Sequence, residues 1–175
     1  KKGKSATARV QLTMDLLSDN YEQMSLGSFR DNDGKASKDI LEIVQPRDLI
    51  LRDKGYWSLS VFEALDKKEC YFLSRLKYGV NIFDKENREQ LKLNKLLKKA
   101  KNNNLSIVDI EVQLGARKRL KTRLVAIRLP EEVAQERRRK ARNDRHSKVN
   151  HSEDYYERLG WCIFITNIFY ACNDI

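Results

Sequence analysis

Leu49-Ile50-Leu51-Arg52-Asp53-Lys54-Gly55-Tyr56 is the stretch from which the rest of this chain is read. Three apolar residues run into an acid, and a glycine and an aromatic follow. A continuous apolar run suits a strand buried on both faces of a sheet. Such a strand, over 49–53, delivers Asp53 to the carboxyl-terminal edge of the sheet, where open α/β sheets place their sites. Gly55 permits a tight turn there, and Ser58 is placed to cap a following helix. The bland alternative is that Asp53 is only a turn or cap residue.

Outward from that stretch, composition sets the class. The 175 residues fit one domain with an insertion and are enough to bury a real core. The formal net charge is +10, which favours a polyanionic partner, nucleic acid first among them. The charge is uneven. Between positions 117 and 148 there are 13 Lys or Arg against Glu131, Glu132, Glu136 and Asp144, a surplus of nine. Within it, Arg117, Lys118, Arg119, Arg137 and Arg138 are candidate phosphate contacts, sequence-independent and salt-sensitive. The competing reading is a solvated basic surface.

Cys70, Cys162 and Cys172 are odd in number and form no CxxC pair, which fits a reduced, intracellular protein. His146 and His151 with Cys162 and Cys172 do not have the spacing of a zinc ribbon or finger, so no zinc is expected. No apolar run is long enough to span a bilayer, and no signal peptide is visible. The chain starts at Lys1 rather than Met and stops at Ile175, just after the apolar run 161–168, which reads as a piece of a longer protein.

Along the chain, 8–14 alternates as a half-buried strand, 15–20 turns, and 21–26 returns, making a hairpin. Residues 30–35 read as a loop. Ser37 is a candidate cap for a helix carrying Ile40, Leu41 and Val44 and ended by Pro46. After the strand 49–53 come a helix over 58–67 with Val61, Phe62 and Leu65 inward, and a strand over 71–76. That order describes a mixed α/β sheet. Residues 84–104 are highly charged around an amphipathic segment with Leu91, Leu93, Leu96 and Leu97. Strands over 107–114 and 124–129 are joined by a basic turn, 115–121. Pro130 opens a helix with Glu131 and Glu132 at its positive end. Ser152 caps a short helix with Tyr155 and Tyr156, Gly160 closes it, and 161–168 is a second strongly buried strand.

Five motifs in this order resemble the DDE transposases of bacterial insertion sequences. They are Lys2-Gly3-Lys4-Ser5 ahead of a strand ending Met14-Asp15-Leu16-Leu17; Asp53-Lys54-Gly55-Tyr56-Trp57-Ser58; Tyr71-Phe72-Leu73-Ser74-Arg75-Leu76-Lys77; Arg128-Leu129-Pro130; and Gly160-Trp161-x-Ile163-x-Ile165-Thr166-Asn167. The branch resembled has a β-rich insertion and a Tyr-Arg-Glu-Lys signature near its last acid. The resemblance implies an α/β fold with a ribonuclease-H-like mixed sheet, incomplete here. It implies a partial core over 1–83, a basic insertion over 84–160 and a return strand over 161–175.

The same resemblance implies cleavage and joining of DNA by three carboxylates and two divalent metals, Mg2+ or Mn2+, both expected only in the complete protein. It makes Asp53 the second acid, a catalytic and metal-binding residue. The first belongs upstream of Lys1. No Tyr-x-x-Arg-x-x-x-Glu occurs before Ile175, so the third belongs beyond it; Asp15, in a turn, is a poor substitute for the first. Two hard cations clamping the attacking and leaving oxygens of a phosphodiester explain why carboxylates are needed. Arg75 and Lys77, two apart and so on one strand face, match positions that touch the transposon-end backbone. Trp161 matches an aromatic on which related enzymes stack a flipped base; its alternative is a core tryptophan. The implied partners are double-stranded DNA, as transposon ends and target, and a second copy of the protein; the implied place is the bacterial cytoplasm, at the nucleoid, with no membrane. Two other readings stay open: a non-catalytic basic nucleic-acid-binding domain, and a structure-specific nuclease on the same core.

Overall fold

In the computed structural model, residues 7–28, 33–86, 89–117, 119–143 and 151–169 are described. Strands β1 (Ala8–Met14) and β2 (Tyr21–Ser28) form the expected hairpin. Its turn is held by Asp15, which accepts from the Leu17 amide at 2.9 Å and the Ser18 hydroxyl at 2.7 Å. These two strands form a sheet of their own.

Where a loop was expected over 30–35, a helical turn α1 (Asp33–Ala36) appears, with the earlier part of that loop outside the described residues. Ser37 does not cap the next helix. Its hydroxyl donates back to the Gly34 carbonyl at 2.9 Å, closing the turn behind it. The segment ahead is a 3-10 turn, Asp39–Glu42, without a side-chain cap; it buries Ile40, and Val44 is buried just after it.

Then follow β3 (Leu49–Arg52), a 3-10 turn (Lys54–Tyr56), α2 (Leu59–Lys67) and β4 (Tyr71–Arg75). After them come β5 (Ile82–Asp84), α3 (Leu93–Asn102), β6 (Ile107–Leu114) and β7 (Leu120–Arg128). Helices α4 (Glu131–Arg142) and α5 (Glu153–Arg158) lead to β8 (Trp161–Thr166). Ser152 caps α5 as expected, accepting from the Tyr155 amide. Strand β7 begins four residues earlier than the expected 124, because Leu120 and Thr122 continue the inward alternation that pairs them with Leu114 and Val112.

The sheet is six-stranded and mixed, in the order β3-β4-β8-β7-β6-β5. Only β3 and β4 are parallel; every other pair is antiparallel. The strands of the basic stretch therefore extend the same sheet that carries β3, and β8 returns between β4 and β7.

The core lies on one face. Phe62 of α2 stacks on Phe72 of β4 with centroids 4.6 Å apart, and Trp57 meets Phe62 edge-on at 5.2 Å. Both phenylalanines are fully buried, each worth about 2–3 kcal/mol of burial. Leu93, Leu97 and Ala100 put α3 against the same cluster at the spacing of one helix face.

Strand β3 is a correction to the reading of 49–53. It is an edge strand, it ends at Arg52, and its residues alternate: Leu49 is 49% and Leu51 53% exposed, while Ile50 and Arg52 are half-buried. The register puts Leu49, Leu51, Tyr71, Leu73, Arg75, Phe164 and Val125 on one sheet face, and Phe72, Ser74, Ile165 and Leu124 on the core face. The first face stays half-open. The apolar run in the sequence marks two faces that accept apolar partners, of which the described residues cover one.

Candidate functional site

Asp53 follows β3 with φ −87° and ψ 169°, so the chain stays extended for one residue before the 3-10 turn begins. Its carboxylate is exposed and makes no capping bond to that turn. The last parallel pair is Arg52 with Ser74, so Asp53 comes level with Arg75, which pairs in turn with Phe164 of β8. The alternation points both toward the half-open face. The placement expected for Asp53, at the carboxyl edge of a strand, is the one observed.

Lys54 is adjacent. Burial pushes its ammonium below the usual lysine value, the neighbouring Arg75 pushes it further, Asp53 offsets part of the effect, and Arg137 adds a second like charge. Arg137 belongs to α4, far along the chain, and acts on Lys54 only as a nearby like charge. On the core side, Arg52 lies 5.5 Å from the Tyr56 ring centroid. Its Nη1 is buried without a hydrogen-bond partner, and burial lowers its pKa, with Tyr56 and Asp39 partly offsetting.

The other candidates are dispersed. Lys77 is exposed and lies beyond the end of β4, so the alternation argued for it and Arg75 stops one residue short; Leu76 makes the last bond to the sheet, its amide donating to the Ile163 carbonyl at 2.8 Å. Trp161 shares the core face with Ile163 and Ile165 and is only 5% exposed, so in this arrangement its indole faces the core cluster. Arg138 is engaged in the fold: Nη1 donates to Glu131 at 2.9 Å and Nε to the Tyr156 carbonyl at 3.3 Å. The Arg138 bond holds the Glu131 carboxyl below its ordinary value. Arg117 is exposed on the turn between β6 and β7, Arg119 rests over the Phe83 ring at 3.2 Å, and Lys118 lies outside the described residues.

That basic turn is fastened by Gly115, whose φ is +88° and whose added Cβ would lie 2.9 Å from Leu59 Cδ1. The contact seats the turn against the start of α2, shortly after Asp53.

No group of three or more His, Cys, Asp or Glu stands together among the described residues. His151 stacks on Tyr155 at 4.0 Å, whereas His146 and Cys172 lie outside the described residues. An open hollow of about 350 Å³ lies at the other end of β4, lined by Arg47, Asp66, Glu69, Cys70, Tyr71 and Asn167. Asn167 is structural there: its Oδ1 accepts from the Phe72 amide, and its Nδ2 donates to Asp66 and to the Cys70 carbonyl, all within 2.9 Å. Sequence reasoning missed Lys54, whose only signal was its place next to Asp53, and the approach of Arg137 to it, for which adjacency gave no signal.

A family model described as "Transposase DDE domain" matches residues 1–168. The chain is 28% identical over 180 residues to the transposase for insertion sequence element IS231B of Bacillus thuringiensis subsp. berliner, covering 93% of this chain and 37% of that protein. It is 29% identical over 180 residues, with the same coverage, to the transposase for element IS231C of the same organism. It is 25% identical over 141 residues to the transposase for element IS1151 of Clostridium perfringens, covering 73% of this chain and 30% of that one. The chain spans just over a third of the length of the first of these relatives. No solved structure matches.

Proposed function

This chain belongs to the transposase DDE domain family, and from that premise we propose that it is part of a DNA transposase in which Asp53 is one of three catalytic carboxylates. Membership implies DNA substrates and divalent metal in general. The finer reading is that the complete protein uses Mg2+ or Mn2+ to hydrolyse a phosphodiester at a transposon end and to join the freed 3′-hydroxyl to target DNA. One observation carries it: an exposed, uncapped aspartate at the carboxyl end of β3, level with Arg75 on the half-open sheet face.

The residues described here do not by themselves fit a pair of metal ions. Asp53 offers one hard oxygen donor, and no cluster of further donors stands beside it among the described residues. The other acids are therefore assigned to the rest of the complete protein, whose relatives are much longer than this chain. The geometry accommodates them. The outer edge of β3 carries backbone groups with no strand beyond them among the described residues, and an unpaired edge is a ready place for another strand. Leu49, Leu51 and Tyr71 leave apolar surface for an element lying across the open face. A ribonuclease-H-like core completed in this way is the fold proposed for the whole.

Arg75, Lys77, Arg117, Lys118 and Arg119 are proposed to meet the DNA backbone, with Arg137 at the site itself. Trp161 would have to leave the core to stack a base, so its role in base stacking is the least supported part of the reading. Two copies working on paired transposon ends, at the bacterial nucleoid, belong to the same proposal; no helix among the described residues is long and apolar enough to cross a membrane. A second reading, a basic DNA-binding module without catalysis, is favoured by Asp53 standing in no cluster of acids among the described residues.

One substitution separates the two. Asp53→Ala in the complete protein is expected to reduce strand cleavage to background while DNA binding persists. Cleavage at the wild-type rate would remove Asp53 from the mechanism and leave the binding module.

A further inference from the structure

We infer that the lysine face of α3 is a second DNA-backbone surface, on the far side of the sheet from Asp53. Leu93, Leu97 and Ala100 pack α3 on the core face, whereas register and alternation place Asp53 and Arg75 on the half-open face. The outward side of α3 carries Lys95, Lys98 and Lys99, with Lys92 at its start, and all four are exposed. The sheet stands between these lysines and the acid. DNA held on α3 is therefore held away from the place of cutting.

Charge pairing sets this helix apart. In α2, Glu63 stands four residues before Lys67, and in α4, Glu136 stands four residues before Lys140, each within ion-pair distance. In α3 there is no acid from Leu93 to Asn102. Lys92, Lys95, Lys98 and Lys99 are in no ion pair among the described residues. Lys101 is not counted with them, because it is one of the charges acting on Glu131. Like charges three and four residues apart oppose a helix, so α3 is held by its other side. Its buried apolar residues do this together with Asn94, whose Oδ1 accepts from Arg158 Nε at 2.6 Å and whose Nδ2 donates to the Asp154 carbonyl at 3.2 Å. The result is an anchored helix presenting cations that no acid on it offsets.

Shape and charge select the occupant. From Lys92 to Lys99 the helix advances roughly 10 Å, a length over which a duplex presents about six phosphates. A membrane surface fits poorly, because the apolar side that an interfacial helix inserts is already buried in the core. The inference rests on the transposase reading for DNA as the polyanion, but not on catalysis by Asp53.

The test is uptake of a short DNA duplex of arbitrary sequence by the complete protein in EDTA, followed by fluorescence anisotropy across a salt series. The triple variant Lys95→Gln, Lys98→Gln, Lys99→Gln leaves helix propensity nearly unchanged. It is expected to take up one duplex fewer per chain at low salt than wild type. The step it loses is expected to carry a salt slope of about −2.7, from three phosphates neutralised. The charge-conserving variant Lys95→Arg, Lys98→Arg, Lys99→Arg is expected to keep that step. A control with the same charge change at exposed positions elsewhere, Lys38→Gln, Lys67→Gln, Lys68→Gln, is expected to match wild type.

Equal uptake by wild type and the α3 glutamine variant overturns the inference. So does equal uptake of duplex together with lost binding of a poly-glutamate peptide, which assigns the face to an acidic polypeptide. The two proposals fail separately. Cleavage abolished in Asp53→Ala with equal duplex uptake in the α3 variant sinks the second surface alone. Cleavage retained in Asp53→Ala with the duplex step lost in the α3 variant sinks only the catalytic role of Asp53.

Discussion

Two antiparallel hairpins in this molecule have nearly the same period and opposite fates. In β6–β7, the inward residues Val112, Leu114, Leu124 and Ala126 are all at most 2% exposed. In β1–β2, the residues at equivalent alternating positions stand in solvent: Val10 at 59%, Leu12 at 50%, Met24 at 67% and Leu26 at 72%. Alternation predicts strands in both, and both are strands. The pattern specifies which side chains share a face; what covers that face is decided elsewhere. The first hairpin is built into the six-stranded sheet, with β8 along one side and β5 along the other. The second makes a sheet of two strands, an arrangement that is marginal in water on its own. In the transposase reading, its apolar face belongs to a contact with the rest of the complete protein.

The sharpest way to break this contrast is a pair of truncations. Leu124→Ala should cost about 2–5 kcal/mol in urea unfolding, because it empties space in a packed core. Leu12→Ala should stay within about 0.5 kcal/mol, as exposed substitutions do. Equal costs would mean that the β1–β2 hairpin is packed against the body of the protein in solution.

A smaller effect tests how the β6–β7 turn is fastened. Gly115 and Gly79 have nearly the same left-handed backbone, φ +88° and +83°, but only Gly115 faces a neighbour, Leu59, while nothing lies within 4 Å of a Cβ at Gly79. Gly79→Ala should cost about 1 kcal/mol for the backbone alone. Gly115→Ala should cost about 2–3 kcal/mol, since Leu59 must also give way. Equal thermal shifts for the two variants would show that the turn does not press on α2.

The smallest effect concerns α4, which follows β7. Arg138 lowers the Glu131 pKa. A depressed carboxylate stabilises the fold above its unfolded pKa, and that contribution is lost as pH falls through the lower, folded value. Glu131 is exposed, so solvent screening limits this to about 0.5 kcal/mol. Glu131→Gln should flatten the acid limb of the thermal midpoint slightly and change nothing near neutrality. A slope unchanged from wild type would mean that the Arg138 contact is made only through Tyr156.

Much of the fold was legible from local chemistry. Ser152 capped its helix, Val61, Phe62 and Leu65 faced inward, and the expected strand 161–168 proved a central strand over Trp161–Thr166, because each rests on interactions within a few residues or on one apolar face. Ser37 misled because a serine hydroxyl satisfies a carbonyl behind it as readily as an amide ahead. Trp161 and Arg138 were chosen for their chemical type, but a large indole gains more from the core than from water, and a guanidinium beside Glu131 and the Tyr156 carbonyl is held there.

The sequence by itself determined that Asp53 directly follows a strand, since an apolar run closing on an acid and a glycine leaves few other local conformations. Only tertiary structure decided that β3 lies at an edge among the described residues and that Arg75 comes level with Asp53 there. Strand order and the return of α4 depend on long-range pairing, where the free energy comes from surfaces joined far apart in the chain, and no local pattern encodes which surfaces those are.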